Sequence, residues 1–282
     1  MVANIGADQW EAVRESIRIA GDRFTALITS APDANAKVTA HWSLAEMAAH
    51  VTGIALMYTT MVRPEATMAL PALKEAISAT TVDTVSVLNE KALEQFTERD
   101  AQALAAQLRA HIDEILATSE RQDPERLIPW LGDSQVPLAG ILAHLVNELL
   151  IHGRDIALAL NRPWVIPPKD AALFFELFLV GMIRHDHGRL VEGGAEPTDR
   201  RIAVEFRSRY TKPVTLVLKF GRVSVEDPRP DNDIRLFFDP PTLNLTLFHR
   251  MTNARAALTG KLVLWGRRPW LIVPFLRKVR LP

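Results

Sequence analysis

In NELLIHGRD, Asn147 to Asp155, a glutamate and a histidine stand four residues apart with Leu149, Leu150 and Ile151 between them. Positions four apart on a helix lie about 40° apart around its axis. Glu148 and His152 therefore share a face, and His144, one turn earlier, extends the stripe. The flanking residues are apolar on most sides, so part of this stripe faces inward. A carboxylate is costly to bury unless it is paired or bound to a cation. A glutamate and a neutral histidine at this spacing can reach one ion, so a metal site is the chemistry these residues suggest first.

Two ligands rarely hold a metal. A catalytic zinc takes three protein ligands and an open position, so a further ligand must come from elsewhere. His41, His50 and His111 are candidates, besides His144 on the same stripe. His50 stands out because it lies two turns inside a helix among Ala48, Ala49 and Val51, where it faces the core or a neighbouring helix. The competing reading of such a histidine is a core residue satisfied by a carboxylate or a backbone group. His185 and His187, in RHDH, lie at a helix end that favours cationic residues, and read as surface groups.

The elements that must position these residues are mostly helical. Residues 8–30, 43–62, 81–97, 101–122 and 137–160 carry apolar positions at three- and four-residue spacing. Ser43 and Glu46 form an S-x-x-E capping box, with Trp42 before it as a hydrophobic staple. The stretch PERLIPWLGDSQVP reads as a loop, Pro137 suits the first turn of the helix that carries Glu148, and Asn161-Arg162-Pro163 stops that helix. These features predict a bundle of four long helices plus minor pieces over residues 1–165. After the proline-rich junction and one more helix, the period changes from 3.6 to 2. RRIAVEFRS, PVTLVLKF, RVSVED and DIRLFFD read as antiparallel strands, and PPTLNLTLFHRMTN and RPWLIVPFLRKVR as helices. Residues 166–282 are thus expected to form a smaller α+β domain, and the whole chain is of the α+β class with two domains.

Composition narrows the function. The chain has 282 residues, 48% of them hydrophobic, with 33 basic and 33 acidic residues. A net charge of zero, with no helix-turn-helix, zinc-finger or Gly-rich phosphate motif, points away from nucleic acid. The longest apolar run is too short to span a bilayer, and MVANIGADQW lacks the pattern of a signal peptide, so a cytoplasmic protein without a transmembrane segment is expected. With no cysteine, no thiolate of the chain can act as ligand or nucleophile. After Asp239 there is no acidic residue, while Arg250, Arg255, Lys261, Arg267, Arg268, Arg277, Lys278 and Arg280 follow. That run is either a solvated basic face or a surface that accepts anions. Trp265 and Trp270 flank Arg267 and Arg268, where they either bracket an anionic group or simply pack.

WSLAEMAAHV, followed about a hundred residues later by NELLIHGRD, resembles the mycothiol-dependent maleylpyruvate isomerase family, part of the wider group of DinB-like four-helix metalloproteins. Its members carry W-[ST]-x-x-[DE]-[LM]-x-x-H and E-x-x-x-H-x-x-D segments, both present here. The resemblance implies a divalent metal, usually zinc, on His50, Glu148 and His152. Asp155 matches the aspartate that follows the last ligand, where it either orients a ligand histidine or packs the helix. His144 and His41 stand near this site as supporting candidates. DNDIRLFFDPPTLNLTLFHRMTNARAALTGKLVLWG resembles the sterol-carrier-protein-like domain that follows the metal bundle in this family. The implied function is a metal-dependent enzyme using mycothiol, a low-molecular-weight thiol, to isomerise or S-conjugate a small electrophilic, anionic substrate. The alternative is a lipid or hydrophobic-ligand carrier that uses the second domain, with a non-catalytic bundle.

Overall fold

In a computed structural model of the chain, residues 5–63, 71–188, 190 and 199–279 are described. Met1–Asn4 of the amino-terminal stretch and Arg280 of the basic run lie outside them. Helix α1 (Ala7–Thr29) buries Trp10, Val13, Ile17, Phe24 and Ile28 along one face. Helix α2 (Leu44–Met61) opens with the capping box: Ser43 Oγ accepts from the Glu46 N–H, and Glu46 Oε2 accepts from the Ser43 N–H at 2.7 Å. Two short helices, α3 (Lys74–Ala79) and α4 (Val85–Gln95), precede α5 (Ala101–Ser119), whose first turn is capped by Asp100. Helix α6 (Leu138–Ala159) carries the Glu148 stripe and ends at Asn161, which takes a positive φ of 53°. The four long helices form a closed ring in which α1 and α2 each touch both α5 and α6. The stretch read as a loop before α6 contains a small hairpin, β1 (Leu127–Pro129) with β2 (Gln135–Pro137).

Helices α7 (Pro168–Leu173) and α8 (Val180–His185) are joined without a break by a π-helical turn, Phe174–Leu179. This continuous rod packs against α6, and α8 also reaches the sheet. The sheet is built from β3 (Ile202–Arg207), β4 (Val214–Lys219), β5 (Arg222–Glu226), β6 (Ile234–Phe238) and β7 (Leu262–Gly266), in the order β5-β4-β3-β6-β7. The four runs expected as antiparallel strands are β3 to β6, and β3 to β5 pair that way. β6 runs parallel to β3, with Val204 opposite Ile234, so the sheet is mixed rather than wholly antiparallel. The segment between Asp227 and Asp233 carries the chain to the far side of β3. β7 was not among the expected strands. It lies within KLVLWG, between α10 (Asn253–Leu258) and a 3-10 turn, Pro269–Leu271, that leads into α11 (Ile272–Lys278). Helix α9 (Pro240–Leu247) starts at Asp239, whose side chain accepts from Thr242 N–H.

One apolar core runs from the bundle into the sheet. Phe175 of the π turn lies 5.4 Å from Phe206 and 4.8 Å from Phe238, ring centre to ring centre. These buried rings fill the space between the π turn and the sheet. On the bundle side the rod and α6 approach so closely that a Cβ on Gly140 would stand 2.5 Å from the Leu177 carbonyl oxygen. Glu176, also in the π turn, accepts from the Lys212 N–H at 2.7 Å, and burial raises its pKa above the ordinary carboxyl range.

Two predictions follow from these packing contacts. Gly140→Ala should destabilise the fold by about 1–3 kcal/mol, because backbone rather than a flexible side chain blocks the new methyl; a urea midpoint equal to wild type contradicts the close approach. A raised carboxyl pKa means the native state holds its proton more tightly than the unfolded chain. Its contribution is present below the unfolded pKa and is lost as pH rises through the folded one. Glu176→Gln should therefore melt higher than wild type at neutral pH, and the gap should close in acid. A gap independent of pH contradicts this.

Candidate metal centre

Helix α2 brings His50 to the stripe on α6. One nitrogen from each of His50 and His152 and one oxygen of Glu148 all lie within 4.8 Å of one another. His50 Nε2 is 3.4 Å from Glu148 Oε2, and His152 Nε2 is 3.1 Å from the same oxygen. Donors placed about 2.0–2.1 Å from a tetrahedral zinc stand roughly 3.3–3.4 Å apart, so these two separations suit ligands of one ion. The three residues are 7%, 5% and 8% exposed, which removes the solvent that would otherwise satisfy the carboxylate. The donor set, two imidazoles and one carboxylate, is one that zinc and neighbouring transition metals accept.

Charge is distributed to match. Burial alone would raise the Glu148 pKa, but hydrogen bonds from His152 and His50 and the nearby histidine charges hold it well below the usual carboxylate range. Burial pushes the pKa of His50 and of His144 down, leaving both neutral. For His152 burial is outweighed by Asp155 and Glu148, which raise its pKa. The group thus contains one carboxylate charge and one imidazole that attracts positive charge, and a metal ion competes for that place with a proton.

Two of the three donors are backed by further residues. His152 Nδ1 faces Asp155 Oδ2 at 3.6 Å, slightly beyond hydrogen-bond length. A proton on Nδ1 aimed at that carboxylate leaves the Nε2 lone pair for an ion. Asp155 is itself gripped by Arg250, which donates to Oδ2 from Nη2 at 2.7 Å and from Nε at 3.1 Å. A third guanidinium bond, from Nη1 to the Phe248 carbonyl at 2.7 Å, fixes the fork in place. On the other side, His144 Nε2 stands 3.6 Å from Glu148 Oε1, and its Nδ1 is 2.9 Å from Tyr58 Oη. Burial raises the Tyr58 pKa, so the phenol keeps its proton. In the tautomer where the phenol donates to Nδ1, the ring N–H of His144 faces Glu148. His144 therefore sits beside the carboxylate rather than within the three converging donors. His41 is exposed, and it too stands outside that group.

Three residues here carried no functional expectation. Trp42 read only as a staple; its ring stands 4.8 Å from that of His50 and 6.3 Å from that of His152, walling the cluster. Tyr58 follows His50 by eight residues, about two helical turns, and that spacing was the available signal. Arg250 comes from the turn after α9, about a hundred residues past Asp155, and no local pattern links the two. The same half of the chain supplies Asn244, which donates to Asn147 Oδ1 at 3.0 Å and the Ala171 carbonyl at 3.1 Å, tying α9 to α6 beside Glu148.

A family model described as the mycothiol maleylpyruvate isomerase N-terminal domain matches residues 14–157, which include all three donors. Among solved structures, the chain is similar to a mycothiol-dependent maleylpyruvate isomerase at 11% identity, with a TM-score of 0.51 over 86% of this chain and 90% of the other. It also aligns with a mutant of such an isomerase at 10% identity, with a TM-score of 0.49 over 84% of this chain and 87% of the other. At these identities the likeness concerns the fold. None of the curated proteins matches the sequence.

Asp155→Asn removes the carboxylate that orients His152 and leaves Arg250 without its partner. The expected result is a metal affinity lowered about 10–100-fold with the helical signal kept, read by competition with a chromogenic chelator. Unchanged affinity contradicts the orienting role.

Proposed function

The chain belongs to the mycothiol maleylpyruvate isomerase N-terminal domain family, and from this premise we propose that it is a metal-dependent enzyme using mycothiol as cosubstrate. Its reaction is the isomerisation of a small, electrophilic, anionic substrate of the maleylpyruvate kind. The observation that carries this reading is the convergence of buried His50, Glu148 and His152 donors between two helices of the bundle. His50, Glu148 and His152 would hold the ion, with zinc the best match to two imidazoles and a carboxylate. A divalent ion there supplies positive charge that keeps a thiol ionised near neutral pH.

The chain's own residues set how far that charge is cancelled. Glu148 brings one negative charge and the two histidines none, so three ligands leave a dication a net charge of about +1. Asp155 does not add to this cancellation, because Arg250 pairs with it at 2.7 Å. Trp42 and the apolar positions of α6 keep water from the face where the donors meet. Having no cysteine, the chain cannot supply the nucleophile, so the thiol must enter as a separate molecule. Addition of the thiolate to a carbon–carbon double bond, rotation about the resulting single bond and loss of the same thiolate give the geometric isomer. The thiol is then returned unchanged.

Protein purified without a histidine tag or chelator should hold about one metal ion per chain. His50→Ala and His152→Ala should each lose it while keeping the helical circular dichroism. Full metal content in both variants overturns the assignment. Holoenzyme given mycothiol and maleylpyruvate should form the isomer only when both thiol and metal are present, with the thiol recovered. Accumulation of a stable thiol adduct instead assigns S-conjugation to the same site.

A further inference from the structure

The acid-free end of the chain builds a surface that the proposed reaction does not use. Leu271 and Phe275, on the turn Pro269–Leu271 and α11, are buried. Trp270, Val273 and Leu276 follow one another at three-residue spacing on the opposite side, and are 63%, 52% and 49% exposed. Arg277 is exposed on that same side, and Arg267 is exposed just before the turn. The elements alongside continue the pattern. Leu258 of α10 and Val263 and Trp265 of β7 are exposed, and α10 touches β7, which touches the turn. Helices normally present polar residues to solvent. Here both sides of α11 are apolar, and the solvent side is fringed with arginine.

We propose that this face of α11 and its preceding turn docks on an anionic lipid surface, with Trp270, Val273 and Leu276 entering the interface and Arg267 and Arg277 meeting the headgroups.

Charge decides among the partners. No acidic residue follows Asp239, and two carboxylates of the sheet region are already engaged: Asp233 by Arg268 and Asp239 by Lys261. Arg267 and Arg277 have no carboxylate partner among the described residues. Two copies meeting symmetrically through this face would set arginine against arginine, so a second copy is disfavoured. Exposed tryptophan beside arginine, with short aliphatic residues on the same face, suits the boundary between headgroups and acyl chains. The basic residues add attraction to anionic lipid that salt weakens.

The test is cosedimentation of the full metal-loaded chain with vesicles of phosphatidylserine and phosphatidylcholine, compared with phosphatidylcholine alone. Binding to the mixed vesicles, released by added salt and much weaker on the neutral ones, is expected. Arg267→Glu with Arg277→Glu should weaken it by about tenfold or more. Trp270→Ser with Leu276→Ser should weaken it by about tenfold. All variants should retain metal content and helical circular dichroism, since the changed side chains are exposed. No binding to either vesicle, or binding indifferent to both double variants, overturns the proposal. A concentration-dependent dimer abolished by Trp270→Ser, without vesicle binding, also overturns it in favour of self-association. Capture of an acidic protein by the same face, without vesicle binding, does the same.

Discussion

Glu148 brings an ionised carboxylate into a region where only 5% of the residue meets solvent, and that charge sets the requirements its neighbours meet. Left alone, a buried carboxylate would take up a proton. Instead three imidazoles from two helices surround it, and the outermost atoms of two of these are steered by further side chains: Asp155 behind His152 and Tyr58 behind His144. The ring of four long helices supplies these positions because α2 and α6 touch directly, placing His50 opposite Glu148. The depth that makes the carboxylate costly would also strengthen its attraction for a cation placed among these donors.

Much of this was legible in the sequence, for definite reasons. The four-residue spacing of His144, Glu148 and His152 fixes a shared face on any helix, whatever surrounds it. The capping box at Ser43 fixes where α2 begins, and hence the phase at which His50 points. Local rules carry this information because both features depend on residues within one or two turns. The two-residue period of the second half likewise marked β3 to β6, but a period has no direction, so the parallel pairing of β6 with β3 was hidden. β7 escaped because its short apolar run sits between two helical stretches, and its pairing depends on β6, a partner distant in sequence. The π turn at Phe174–Leu179 is equally invisible to a pattern drawn at 3.6 residues per turn.

Arg250 belongs with the illegible part and bears on function most. Sequence reading treated it as one charge in a basic run. In the fold it is the residue by which the sheet-bearing half reaches the His50, Glu148 and His152 cluster, through Asp155. The rest of the basic run divides in the same way: Arg268 and Lys261 are committed to carboxylates of the sheet region, whereas Arg267 and Arg277 border an exposed apolar face. A count of charges treats all of them alike, although three-dimensional packing gives them separate roles.

Arg250 and Asn244 give the junction between the halves a thermodynamic meaning. Arg250 steadies Asp155, and Asn244 holds α6 one residue before Glu148. If seating the sheet-bearing half sharpens the grip of the donors on a cation, linkage requires the cation to strengthen that seating by the same free energy. An ion held by these donors would then fasten two parts of the chain together. Scarcity of metal would show first as loosened seating of the second half, before any loss of the helical bundle itself.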